Sequence, residues 1–103
     1  MKKNDLLELR DLLSVAHHVP GRIRLRLNPK IRNHPAAKEF EHWNTSGTGI
    51  LATRLNSMAR SLVIDYDPKQ IHAGEFEEFL ETRDPDRTTK LLKTFAKLFG
   101  VTN

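Results

Sequence analysis

Three arginines alternate with three aliphatic residues in the segment RIRLRL, which begins at Arg22. Successive side chains of a β-strand point to opposite faces of the sheet, so Arg22, Arg24 and Arg26 are predicted to share one face. The same alternation in a later segment adds Arg54 to this face. Guanidinium groups match the geometry of carboxylates and phosphates, so the pattern predicts a docking face for an anionic partner, above all an acidic protein surface. The alternative is a solvated face on which Asp65 balances one arginine.

Nucleic acid is the less favoured partner for this face. Sheet faces that bind RNA normally present aromatic side chains on which the bases stack. Ala52 and Val63 occupy the positions where such aromatics would be needed. The formal net charge of +4 favours anionic partners in general, but it does not choose among them.

Histidines are the other side chains that could carry chemistry. The chain has no cysteine, so no thiolate can bind zinc, copper(I) or an iron–sulfur cluster. Imidazole nitrogens suit zinc and nickel, and the candidate ligands are His17, His34 and His72. The neighbours His17 and His18 would point to opposite faces of a strand, which makes them a poor chelating pair. We therefore predict no cofactor, with zinc or nickel bound by histidines as the alternative.

Signs of an enzyme are weak. The chain contains no HExxH helix and no glycine-rich phosphate loop. Arg32 and Asn56 could be cast as the arginine and asparagine of an acylphosphatase, an enzyme that shares the fold predicted below. The surrounding motif does not match, and fold analogy alone is a weak warrant. We predict a non-enzymatic protein without catalytic residues.

Hydropathy patterns predict the elements that must position these residues. Residues 14–19 are ambiguous, because they could end a helix or begin a strand. The remaining elements are predicted as strands at 21–27, 50–56 and 61–67 and helices at 4–14, 34–44, 72–82 and 87–99. The order in the middle of the chain favours an α+β protein with a ferredoxin-like split βαβ unit and an antiparallel sheet. Its fourth strand is predicted to be missing, and extra helices stand at both ends.

Two segments, HHVPGRIRLRL at 17–27 and RLNSMARSLVIDYDP at 54–68, resemble the heavy-metal-associated domain family. The match is to a divergent, cysteine-less branch with a Pro-Gly-Arg-x-Arg-Leu-Arg first strand and a hairpin that ends in Tyr-Asp-Pro. The resemblance covers residues 15–80 and implies a ferredoxin-like fold. Typical members bind a soft metal through a Cys-x-x-Cys loop after the first strand. The loop here reads NPKIRNHP and has no cysteine, so none of the family's metal ligands carries over.

The two ends of the chain add further apolar faces. We divide the chain into an N-terminal amphipathic helix at 1–14, a heavy-metal-associated-like domain at 15–84 and a C-terminal amphipathic basic helix at 85–103. In the last helix an apolar side stands opposite three lysines. These residues are Leu91, Leu92, Phe95, Leu98 and Phe99 with Lys90, Lys93 and Lys97. The pattern favours packing on the domain or self-association in a homo-oligomer, with contact to an anionic membrane as the alternative.

The chain has no apolar run near the roughly 20 residues that span a bilayer, and we expect no signal peptide because no segment resembles one. We expect a cytoplasmic protein, soluble or peripheral to a membrane or an assembly. Its predicted role is that of an interaction module that docks an anionic partner and associates through its terminal helices. The alternative is a metal-handling protein that uses histidines, and an acylphosphatase-like enzyme is less favoured.

Overall fold

The structure is a computed structural model that describes residues 2–35, 49–56 and 58–96. In these ranges three α-helices accompany a four-stranded antiparallel sheet, which confirms the predicted α+β class. The elements in chain order are α1 (Lys3–Arg10), β1 (Leu13–Val19), β2 (Arg22–Leu27), a 3-10 helix (Pro29–Asn33), β3 (Ile50–Asn56), β4 (Ser61–Tyr66), α2 (Ala73–Glu81) and α3 (Pro85–Ala96). None of the described helices has the length and apolar character needed to cross a membrane.

The strands lie in the order β1-β2-β4-β3, and each neighbouring pair is antiparallel. β2 and β3 therefore run in the same direction with β4 between them. The prediction of a sheet that lacks its fourth strand is wrong, because β1 fills the place beside β2, although the segment after α2 is helical as predicted. The strand order is also not the ferredoxin-like one, in which the fourth strand comes last in the chain. The predicted helix at 34–44 falls mainly outside the described residues, so the split βαβ unit is not confirmed.

β1 begins where the sequence predicted the end of the first helix. α1 stops at Arg10, and Leu13 and Val15 pair with the buried face of β2. These two residues gain more from covering the sheet than from a further helical turn, because pairing also satisfies the backbone groups on the edge of β2. The turn from β1 to β2 needs Gly21, whose φ is +96° and whose carbonyl accepts a hydrogen bond from the Tyr66 amide at 2.9 Å.

A bulge in β1 decides which side chains of this strand face inward. The pairing register with β2 shifts between Val15 and His17, so Ala16 is the extra residue. Because one extra residue moves every later side chain to the other face, His17 points away from the core and His18 points into it. Regular alternation from Val15 would have placed His17 inward instead.

The helices and one face of the sheet share a single core. Its buried members include Leu6 of α1, three residues of each central strand and three residues of α3; the strand and α3 residues are Ile23, Leu25, Leu27, Leu62, Ile64, Tyr66, Leu91, Leu92 and Phe95. Packing within the chain therefore accounts for Leu91, Leu92 and Phe95 of the predicted contact face. Lys90 and Lys93 are exposed, whereas Lys97, Leu98 and Phe99 lie outside the described residues.

One charged residue is buried between the helices. Arg10 is 7% exposed, and its Nη1 donates to the Phe79 carbonyl and to Thr88 Oγ1, each at 3.1 Å. Its guanidinium also lies 5.5 Å from the centre of the Phe79 ring. Burial lowers the pKa of Arg10, and the nearby charge of Arg83 lowers it further. Arg10 thus joins α1 to both α2 and α3.

Candidate functional site

The open face of the sheet carries the arginines that the sequence predicted to lie together. Arg22, Arg24 and Arg26 of β2 are exposed, while the three aliphatic residues that alternate with them are buried. Arg24 pairs with Val63 of β4, and Val63 pairs on its other side with Arg54 of β3. Directly paired residues in a sheet share a face, so Arg54 lies on the same surface as the other three. Arg24 and Arg54, on either side of Val63, are two strand spacings apart, about 10 Å at the backbone.

One of the four arginines is neutralised within the sheet. Arg22 Nε donates to Asp65 Oδ1 at 2.6 Å, and the Asp65 side chain is 20% exposed. Arg24, Arg26 and Arg54 form no ion pair with any residue that the structure describes. Three positive charges on this face therefore lack a carboxylate partner among the described residues. We call Arg24, Arg26 and Arg54 the arginine face.

The open face next to Arg26 carries small polar side chains. The row that contains Arg26 continues through Ser14 on one side and through Ser61 and Asn56 on the other. None of the described strand residues on this face is Phe, Tyr or Trp. An open cleft at the same end of the sheet is lined by Ser14, Arg26 and Arg60, among others. The surface thus offers guanidinium and hydroxyl donors, and among the described strand residues its aromatic ring is the imidazole of His17.

The three histidines that were candidate metal ligands lie on different elements. His17 is exposed on the open face, where it pairs with Arg24. His72 caps α2, because its Nδ1 accepts a hydrogen bond from the Glu75 amide at 3.4 Å. His34 follows the 3-10 helix and contacts α1 instead. In the described ranges, the single group of three or more possible ligands contains His34 but neither of the other two histidines.

His18, which was not a candidate ligand in the sequence, forms a hydrogen bond through each of its two ring nitrogens. Its side chain is 4% exposed, with Nδ1 2.8 Å from Glu77 Oε2 and Nε2 2.6 Å from the Tyr66 hydroxyl. A carboxylate can only accept, so in the neutral ring Nδ1 donates to Glu77 and Nε2 accepts from Tyr66. Burial raises the pKa of the Tyr66 hydroxyl above its ordinary value. These two hydrogen bonds connect β1 to β4 and α2. The sequence did not predict them, because the bulge in β1 moves His18 to the buried face.

The two residues considered for acylphosphatase chemistry have ordinary positions. Asn56 Oδ1 accepts a hydrogen bond from the Ala59 amide at 2.9 Å and so closes the turn between β3 and β4. Arg32 is exposed on the 3-10 helix. Nothing in their geometry adds to the prediction made from the sequence.

Comparisons of the chain with protein-family models, with curated protein sequences and with solved structures find no match. The relation to the heavy-metal-associated domain family stays a prediction.

Proposed function

We propose that this protein is a non-enzymatic interaction module that docks an acidic protein surface on its arginine face. The observation that supports this proposal is the exposure of Arg24, Arg26 and Arg54 on one sheet face without ion-pair partners among the described residues. Each guanidinium offers a planar fork of donors that matches a carboxylate in two parallel hydrogen bonds. A partner with carboxylates about 7–10 Å apart would meet neighbouring positions on this face.

The energetics of the face favour a partner over a role in folding. Arg24 and Arg26 lie two residues apart on one strand, about 7 Å at the backbone, and their charges repel by about 0.5 kcal/mol in water before salt screens them. The fold tolerates this repulsion but gains nothing from it. A bound carboxylate would replace the repulsion by attraction, and that gain would appear in binding rather than in stability.

An acidic protein surface suits this face better than the other anionic partners. No Phe, Tyr or Trp lies on this face among the described strand residues, and the imidazole of His17 is a small ring for base stacking, which disfavours nucleic acid. The apolar side of α3 is directed into the core at Leu91, Leu92 and Phe95, so the described part of this helix leaves no apolar face for a membrane. A second copy of the chain is a candidate partner as well, because α2 presents Glu75 and Glu81 on its exposed side.

The finer fold assignment is part of the same proposal. We infer that β2, β4 and β3 correspond to the first, third and second strands of a ferredoxin-like unit, because β2 and β3 run parallel with β4 between them. β1 then takes the position of that unit's last strand. The resemblance to the heavy-metal-associated domain family rests on the segments that form β2 and the β3–β4 hairpin.

Binding of poly-L-glutamate, measured by calorimetry at low ionic strength, tests the proposal. The variant Arg24→Gln, Arg26→Gln, Arg54→Gln removes three charges from the face, and we expect it to bind 10- to 100-fold more weakly, since each exposed pair contributes about 0.5–1 kcal/mol. A second variant, Arg32→Gln, Lys90→Gln, Lys93→Gln, removes three exposed charges elsewhere and should lose less than about threefold.

Three results would overturn the docking face. Equal weakening in both triple variants would mean that net charge alone controls binding. Tighter binding of a single-stranded oligonucleotide than of polyglutamate at the same charge would identify nucleic acid as the partner. A larger loss of polyglutamate binding in the second variant than in the first would assign binding to a surface outside the arginine face that includes Lys90 and Lys93 of α3. Analytical ultracentrifugation measures whether the protein self-associates, and so distinguishes a second copy of the chain from a different acidic protein as the partner.

A further inference from the structure

We propose that Asp5, Glu8 and His34 form a binding site for a divalent transition-metal ion of the zinc class. One ligand atom from each of these side chains lies within 4.8 Å of the other two. Two carboxylate oxygens and one imidazole nitrogen are a ligand set that zinc, cobalt(II) and nickel(II) accept. The site is separate from the arginine face and does not depend on it.

Local structure brings the two carboxylates to one side of α1. Asp5 and Glu8 are three residues apart in the helix Lys3–Arg10, so both side chains project from the same face. Asp5 also closes the start of this helix, because its Oδ2 accepts a hydrogen bond from the Lys2 amide at 3.2 Å. That bond restricts the Asp5 carboxylate to the first turn and leaves its other oxygen for an ion.

The histidine comes from a distant part of the chain. His34 caps the 3-10 helix Pro29–Asn33 at its C-terminal end, and its side chain is 11% exposed. Its Nε2 lies 2.5 Å from Glu8 Oε2. The ring nitrogen is thus already directed at the carboxylates, and little reorganisation is needed for an ion to take the position between them.

Charge also favours a cation at this position. One oxygen of the Asp5 carboxylate and one of the Glu8 carboxylate lie within 4.8 Å of each other, and a divalent ion between them would attract both. Magnesium and calcium, which prefer all-oxygen sites, should bind far more weakly than zinc, because one of the ligands is nitrogen. A bound ion would join α1 to the segment that follows β2.

Calorimetry with ZnCl₂ on chelator-treated, tag-free protein tests the site. We expect one ion per chain and a rise in Tm on the order of 10 °C at 100-fold excess over Kd. Glu8→Gln and His34→Ala should each weaken binding at least tenfold. The double variant His17→Ala, His72→Ala should bind as the wild type does, because these histidines lie outside the cluster.

Several outcomes decide against the proposal. The absence of binding heat and of any Tm shift at millimolar zinc would overturn it. So would unchanged affinity in Glu8→Gln, or a tenfold loss in the His17→Ala, His72→Ala control. If His34→Ala fails to fold, Glu8→Gln decides alone, since this exposed carboxylate can be replaced by an amide of nearly the same size. Absorption of the cobalt(II) form that changes in Glu8→Gln but not in the control would support the ligand set independently of affinity.

Discussion

Tyr66→Phe should destabilise the protein through a single deleted atom. The Tyr66 hydroxyl lies 2.6 Å from His18 Nε2, and Tyr66 is 1% exposed while the His18 side chain is 4% exposed. The aromatic ring remains, so its packing against Phe76 is retained. Water has little access to replace the hydroxyl, and a buried nitrogen left without a partner costs about 1–3 kcal/mol. We expect the free energy of unfolding to fall by about 2 kcal/mol.

Urea denaturation followed by circular dichroism measures this loss. The midpoint should fall while the m-value stays constant, because the surface exposed on unfolding is almost unchanged. For a domain of this size, 2 kcal/mol corresponds to a fall in Tm of roughly 8–16 °C. Glu77→Gln is the comparison at the other ring nitrogen. The Glu77 side chain is 43% exposed, so water can compensate there and the loss should be about 1 kcal/mol or less.

A double-mutant cycle isolates the contact between the two side chains. In a His18→Leu background the Tyr66 hydroxyl has lost this acceptor but keeps its hydrogen bond with the Gly21 backbone, so Tyr66→Phe should then cost less than it does in the wild type. The coupling energy between the two positions should be at least about 1 kcal/mol. Additivity of the two substitutions within about 0.3 kcal/mol would refute the reasoning, since it would mean that the hydroxyl and the ring do not interact.

Two further predictions concern other buried groups. Burial raises the pKa of Tyr66, so its neutral hydroxyl stabilises the folded state fully below pH 10, and this contribution is lost as the pH rises through the folded-state pKa. Unfolding free energy should therefore fall above about pH 10 in the wild type and less steeply in Tyr66→Phe; phenolate absorbance reports the titration directly because Tyr66 is the single tyrosine. Arg10→Met keeps most of the aliphatic stem but removes the donor to the Phe79 carbonyl and to Thr88 Oγ1, so it should lower the free energy of unfolding by about 1–3 kcal/mol. Arg10→Ala also leaves a cavity in place of the stem, so it should lower the free energy of unfolding by about 2 kcal/mol or more beyond that. Thermal and urea unfolding compare the two variants, and equal losses would contradict this account.

β2 was predictable because its aliphatic residues and its arginines occupy alternate positions, and the placement of one set determines the placement of the other. A side-chain period of two sends Ile23, Leu25 and Leu27 to one face, and their need for burial assigns the arginines to the other. β4, α2 and α3 were predictable for the same kind of reason, since each carries a hydropathy period that only one type of element satisfies.

A strand at residues 14–19 was one of two alternatives that the sequence left open, and the partner of β1 explains why the sequence could not decide between them. Leu12 and Leu13 continue the apolar spacing of α1, so the local pattern favours a longer helix. Pairing of Leu13 and Val15 with β2 is a contact between elements, and it outweighs the local preference. The same pairing fills the sheet position that the sequence left empty, so the wrong fourth-strand prediction and the wrong helix end share one cause.

By itself, the sequence determined the class of the fold, the arginine face and the absence of any thiolate site, because each depends on residue types and on periods that are read within one segment. Only the tertiary structure determined which side chains from distant parts of the chain come into contact. His18 meets Tyr66 and Glu77 from 48 and 59 residues away, and His34 meets Glu8 from 26 residues away. Because of a one-residue bulge in β1, His18 rather than His17 faces the core. Such choices depend on register and on helix placement, and neither leaves a periodic signal in the chain.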